Sequence, residues 1–286
     1  MRVAVVTDST AYLPDGALAQ SGVTVVPLSV IVDHDVYVEG EDRAVGELRR
    51  ALTRAGSATT SRPAPAVFLR AYERLASEGA DAIVSVHLSA QLSGTCDAAR
   101  LAALDAPVPV RVVDSSVMAA ALGYAALDAA AAAARGADAA AVAEVAAERA
   151  RAARVLFCVA SLEFLRRGGR IGAASAMLGA ALAVKPLLEL RDGRIELLEK
   201  QRTMGRAISR LAALAGETAR ASEGTVRLTV HHVGAASRAR SLAEAVAREC
   251  REVGAPVSEL QIVELGMVGA THLGPGSLGV VIAPAG

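Results

Sequence analysis

The 286-residue sequence reads as an α/β protein of two domains, and three observations carry that reading. Short Val- and Ile-rich runs alternate with helix-period segments through residues 1–153, the order that builds a parallel sheet covered by helices. Beyond residue 153 the alternation gives way to a two-residue hairpin signal and a mixed order of strands. That change predicts an α+β domain with a mixed sheet over residues 154–286. The length also suits two medium domains with ample core.

In the first domain, residues 2–7, 23–32, 82–86 and 110–114 read as buried strands. Residues 14–21, 45–54, 65–78, 95–103 and 117–135 read as helices between and after them, with Pro14 and Pro65 where a first-turn proline is tolerated. Residues 138–150 form a further helix. In the second domain, strand 155–159 is followed by segment 161–167 and the glycine-broken GGRIG of residues 168–172. Strands 187–190 and 195–198 flank Arg191-Asp192-Gly193-Arg194, where Asp-Gly is a strong hairpin signal. A helix at 205–220, a strand at 225–232, a helix at 237–253, and strands at 257–264 and 278–283 complete the order.

Composition mainly excludes. Basic and acidic residues balance at 30 each, aromatics are 2% and Trp is absent, so the chain has neither the basic groove nor the stacking rings of a nucleic-acid binder. An apolar fraction of 53% at zero net charge excludes disorder. Lys185 and Lys200 are the only lysines, so 28 of the 30 basic residues are arginine. The arginine and alanine excesses read first as nucleotide-composition bias. Cys96, Cys158 and Cys250 are odd in number and far apart, which argues against a disulfide framework or thiolate zinc site and for a reducing cytoplasm. The opening MRVAVVTDST lacks the apolar core of a secretion signal. Alanine-rich residues 117–134 carry Asp128 and run into Arg135, so they read as a soluble helix, not a membrane span. A cytoplasmic protein without an integral membrane segment, metal or cofactor is expected.

Four segments carry chemistry at predicted strand ends, where open α/β sheets bind ligands. Asp8-Ser9-Thr10 follows the first strand and reads either as a helix cap or as a site. In TTSRPAP, residues 59–65, three hydroxyls precede Arg62 and two prolines, giving a stiff loop with directed donors. In HLSAQLSGT, residues 87–95, Ser93-Gly94-Thr95 opens a helix, where free N–H groups and a hydroxyl favour an anion. In ATHLGPGSLG, residues 270–279, the spacing Gly274-x-Gly276-x-x-Gly279 matches a dinucleotide fingerprint by letters only, since a strand follows it where a helix is required. His272 beside that turn reads as a loop imidazole able to meet a ligand. His34, His87, His231 and His232 show no partner pattern. Neither lysine lies in a P-loop, and no H-E-x-x-H or G-x-S-x-G occurs, so the chain has no recognisable means of activating ATP by itself.

Taken in register, VAVVTDSTAYLPDGAL, GVTVVPLSV, ATTSRPAP, HLSAQLSGT, VVDSS, LEFLRRGGRIG, VKPLLELRDGRIELLEKQRT and THLGPGSLG span nearly the whole chain. In this combination the sequence resembles the DegV family of bacterial fatty-acid-binding proteins. The resemblance implies two α/β domains with a long acyl chain in an apolar tunnel between them. It implies a non-catalytic subunit that presents the fatty acid carboxylate to a separate ATP-dependent fatty acid kinase, which makes an acyl phosphate for phospholipid synthesis. By motif, the carboxylate contacts fall on Thr60, Ser61, Ser93, Gly94 and His272. Arg166, Arg167, Arg170 and Arg202 resemble the family's basic surface for a kinase or for phosphate. The sequence departs from the usual pattern at Arg62, where glutamine is usual, at Ala64 for serine, and at Ala90-Gln91 for Ser-Gly. Two alternatives stay open. One is a serine-dependent acyl hydrolase or transferase using Ser93 and His272 with Asp8 or Asp114; the other is lipid binding without a kinase partner.

Overall fold

The computed structural model describes residues 1–40, 58–172 and 184–286; the helix expected over 45–54 lies outside the described residues. The chain divides into two compact units, Met1–Arg151 with Gly266–Val268, and Ala152–Leu265 with Gly269–Gly286.

The first unit contains β1 (Val3–Asp8), β2 (Thr24–Val26), β3 (Ser29–Val32), β4 (Asp35–Val38), β5 (Thr59–Ser61), β6 (Ala82–His87) and β7 (Val110–Asp114). Four of these strands form a parallel sheet in the order β2-β1-β6-β7. Helices α2 (Pro65–Ser77) and α3 (Thr95–Ala103) bury Phe68, Tyr72, Ala98 and Ala99 against Val6 and Ile83 of the sheet. Helix α4 (Ala120–Ala134) packs on β1 and β6, and α5 (Ala139–Ala152) follows it. The alanines of α4 have a structural reason: Ala120, Ala121, Ala125, Ala126, Ala129 and Ala132 are all buried. Each removes little surface from water, but small side chains let the helix lie close to its neighbours. A Cβ placed on Gly123 would come within 2.6 Å of Leu13 Cγ. No helix among the described residues is long and apolar enough to cross a membrane.

Two expectations change here. The single strand over 23–32 is broken at Pro27, which has no N–H for a sheet ladder. Its halves enter different sheets, because β3 joins a small antiparallel sheet of order β4-β3-β5. The helix over 14–21 shortens to α1 (Ala17–Gln20), with Gly16 in the left-handed region at φ 80°.

The second unit contains β8 (Arg154–Cys158), β9 (Lys185–Arg191), β10 (Arg194–Gln201), β11 (Val226–His232), β12 (Val257–Glu264) and β13 (Leu278–Pro284). They form one mixed sheet, β10-β9-β8-β13-β11-β12, in which only β11 and β12 pair parallel. Asp192 and Gly193 both have positive φ, 48° and 78°, as a tight hairpin between β9 and β10 requires. Short α6 (Glu163–Arg167) follows β8. Helices α7 (Met204–Ala221) and α8 (Ala236–Glu252) cover a core of Leu156, Leu187, Leu211, Leu228, Leu242 and Leu278. The expected α/β architecture, with a parallel sheet in one unit and a mixed sheet in the other, is therefore present. Helix α9 (Met267–Leu273) lies where the sequence predicts no element through 269 and a loop from 270.

Candidate functional site

Asp8, His87 and Asp114 are the last residues of β1, β6 and β7, three neighbouring parallel strands, so their side chains stand along one sheet edge. Asp8 Oδ2 accepts the Leu88 N–H at 3.0 Å and meets His87 Nδ1 at 3.1 Å. Its Oδ1 accepts the Thr10 N–H at 3.0 Å and the Thr10 hydroxyl at 2.6 Å. His87 Nε2 lies 2.7 Å from Ser85 Oγ, which lies 2.9 Å from the Tyr72 hydroxyl. Asp8, His87, Ser85 and Tyr72 are each 0% exposed. The order Asp–His–Ser is that of a hydrolase triad, yet no substrate reaches a serine sealed in the core. Asp8 caps no helix, and His87, for which the sequence shows no partner pattern, pairs with it. The two are partners across 79 residues of sequence.

The same edge clamps the Ser93 loop. Asp114 Oδ1 accepts the Ala90 N–H at 3.1 Å and the Ser116 N–H at 2.9 Å. The Ser89 carbonyl accepts the N–H groups of Leu92 and Ser93, and Ser89 Oγ accepts that of Gln91. Ser93 is thereby fixed at the entry to α3, with its Oγ 2.8 Å from Thr95 Oγ1. Gly94 is the N-cap, and no side chain caps the helix, so capping does not account for Ser93. Thr60 and Ser61 lie in β5, paired with Val30 and Ser29, where the sequence suggested a stiff loop. Arg62 follows directly, and its side chain lies over Gly94. A Cβ on Gly94 would overlap Arg62 Nη1 and sit 3.2 Å from its Cδ and Cζ. The contact brings the segment after Thr60 and Ser61 to Ser93 and Gly94.

Glu39 is a residue that sequence reasoning missed. It is buried, takes the Ser9 hydroxyl at 2.6 Å and the Tyr12 hydroxyl at 3.0 Å, and accepts the Val268 N–H at 2.9 Å. Burial pushes its carboxyl above the ordinary range, against the lowering effect of these bonds. Gly266 is required here, since a Cβ would come within 2.6 Å of Tyr12 Cε1. The first turn of α9 is thus tied to the first unit, and the rest of α9 belongs to the second. No local pattern signals a bond spanning 229 residues.

In the second unit, His272 sits in the last turn of α9, not in a loop. Its ring crowds Gly168, whose Cβ would lie 2.9 Å from His272 Cε1. Burial, and secondarily the charge of Arg170, lower its pKa to about 4, so the imidazole is neutral at pH 7. Arg170 Nη1 donates to the Gly168 carbonyl at 2.6 Å. Arg166 and Arg167 both bond Glu163, at 2.6 and 2.7 Å, and hydrogen bonds first from Arg166 and then from Arg167 hold its carboxyl down at about 2. Arg202, just after β10, is exposed. Thr60, Ser61, Ser93 and Gly94 therefore lie in the first unit, and His272 lies in the second with all four arginines. Among the described residues no group of His, Cys, Asp and Glu could hold a metal ion. The three cysteines are free and buried, and burial raises each thiol pKa, to about 12 for Cys96 and about 11 for Cys158.

Comparison with known proteins adds the family. A family model described as "Uncharacterised protein, DegV family" matches residues 2–285. A DegV domain-containing protein of Streptomyces coelicolor is 48% identical over 281 residues, covering 98% of each chain. A solved structure described as fatty acid binding of a DegV family protein from Thermus thermophilus matches with a TM-score of 0.88 at 37% identity, covering 100% of each chain. The structure of DegV, a fatty acid binding protein from Bacillus subtilis, matches with a TM-score of 0.87 at 31% identity, again over the whole of both chains.

Proposed function

Because this chain belongs to the DegV family, we propose that it binds a long-chain fatty acid and presents the carboxylate to a separate ATP-dependent kinase. The observation that carries the reading is the Ser93 loop, whose hydroxyl and N-cap glycine are held at the start of α3 by two sheet-edge carboxylates, buried Asp8 and half-buried Asp114. Such donors suit a carboxylate head. In the proposed set, Thr60, Ser61, Ser93, Gly94 and His272 contact the head group. Neutral His272 donates or accepts a hydrogen bond and brings no charge. The acyl tail contributes ~0.8 kcal/mol per buried methylene, on the order of 10 kcal/mol gross for a long chain. A carboxylate oxygen then attacks the γ-phosphorus of the kinase's ATP, the bond from that phosphorus to the bridging oxygen breaks, and ADP leaves. Arg166, Arg167, Arg170 and Arg202 form the proposed kinase or phosphate surface.

No observation favours the hydrolase reading. Its two candidate acids, Asp8 and Asp114, are already engaged with His87, Thr10 and backbone amides. Native mass spectrometry of protein purified from cells is expected to show a co-purified fatty acid; apo protein that also refuses palmitate and oleate would sink the proposal. The double variant Ser93→Ala, His272→Ala is expected to lower oleate affinity by about 100-fold or more, as for losing two hydrogen bonds to a charged group. Undiminished affinity would remove these two residues from the head-group set.

A further inference from the structure

The backbone at Arg62 is anchored on both sides. The Ser61 hydroxyl donates to the Arg62 carbonyl at 3.1 Å, Pro63 follows with its fixed φ, and β5 is in register with β3 just before it. From this anchor the side chain crosses to Gly94 and lies against it, in the volume a Cβ would need. Among the described residues, no carboxylate lies within ion-pair distance of Arg62.

That placement sets a cation against the start of α3, where the unsatisfied N–H groups already carry positive partial charge. Like signs are thus brought together there, and an anion bound beside both relieves them. The acidic residue in the first turn of α3, Asp97, is bonded to Arg100 at 2.9 Å. Beside the guanidinium, Ser93 and Thr95 share one hydrogen bond, so one of their two hydroxyl protons is left to donate. The other members of the proposed head-group set are neutral at pH 7, His272 included. The set itself holds no cation: the charge of Arg170 is felt at His272, and Arg62 supplies one at Gly94, where an uncompensated buried charge would be costly.

We propose that Arg62 is the specificity-determining residue of the head-group site, a guanidinium against Gly94 that selects an ionised carboxylate over a neutral head group on the same acyl chain. The inference rests on the fatty-acid reading and adds to it the charge state of the ligand. Arg62 is itself exposed, so solvent screens part of its effect.

The test compares oleate with oleyl alcohol at pH 8 by calorimetry, for wild-type protein and Arg62→Gln. Oleate affinity is expected to fall roughly tenfold in the variant, the range of one screened charge-assisted hydrogen bond, while oleyl alcohol affinity holds. The acid-to-alcohol ratio therefore falls about tenfold, and Arg62→Lys restores part of it because charge returns without the planar fork. Equal losses for both ligands, or an unchanged ratio, would overturn the proposal while leaving fatty acid binding intact. Wild-type protein that takes up neither ligand would overturn the fatty-acid reading and this assignment with it.

Discussion

Two histidines, one in each unit, sit in different surroundings. His87 is sealed in the core of the first unit between Asp8 and Ser85, with both ring nitrogens engaged. His272 is packed against Gly168 and Arg170 in the second unit, and burial depresses its pKa to about 4. The one with the triad-like neighbours belongs to the scaffold. The difference teaches that a catalytic-looking constellation has to be judged by access first, because hydrogen-bond order alone fits a buried strut equally well.

The largest expected effect tests that strut. Asp8→Ala leaves His87 Nδ1, the Leu88 and Thr10 N–H groups and the Thr10 hydroxyl without their acceptor inside the core. Denaturant unfolding should show a loss of about 3–5 kcal/mol, the range for breaking a buried charged network. A loss below ~1 kcal/mol would mean that solvent reaches this edge, and the triad-like chain would again be a candidate for chemistry.

A smaller effect, from a different pH window, probes the second histidine. The folded-state pKa of His272, about 4, lies below its ordinary 6.5. The unfolded chain therefore takes up the proton first. Stability is full above pH 6.5, falls as pH drops toward 4, and does not change further below that. The contribution amounts to up to about 3 kcal/mol. His231 shifts the same way, also to about 4, because it is buried. Replacing His272 with Gln should therefore flatten only part of the acid limb between pH 6.5 and 4, measured by unfolding at a series of pH values. An unchanged limb would mean that His272 stays hydrated, unlike the packed ring described above.

How much of this was legible depended on range. Helix 95–103 and strand 257–264 were read to the residue, because periodicity and caps are local signals. Strand β5 was not: it is three residues long, and its partner β3 lies some 30 positions away. Helix α9 has Gly269 inside it and a weak helical pattern, and its first turn is tied down by Glu39 from far along the chain. Pro27 was a visible signal that the 23–32 run should split. The Asp8–His87 pair is half legible, since parallel order already places the ends of β1 and β6 on one edge. Of the candidate site, the Ser93 loop and Arg62 stood out from residue type alone; that Arg62 lies on Gly94 is a tertiary fact.

The smallest expected effect concerns the arginines around α6. Glu163 bonds Arg166 and Arg167 on an exposed surface, and its carboxyl is held at about 2 against an ordinary 4.5. A depressed acid stabilises above its unfolded pKa and loses that effect as pH falls through about 2, a window below that of His272. Solvent screens such surface pairs, so Glu163→Gln should leave the thermal midpoint where it was. The informative readout is the Glu163 carboxyl carbon followed by NMR, with a midpoint expected near 2. If it instead titrates near 4.5, Glu163 does not hold Arg166 and Arg167. If it titrates near 2, any partner must first displace Glu163. That leaves Arg202 as the arginine of the proposed surface most open to first contact, since Arg170 is turned to the Gly168 carbonyl beside His272.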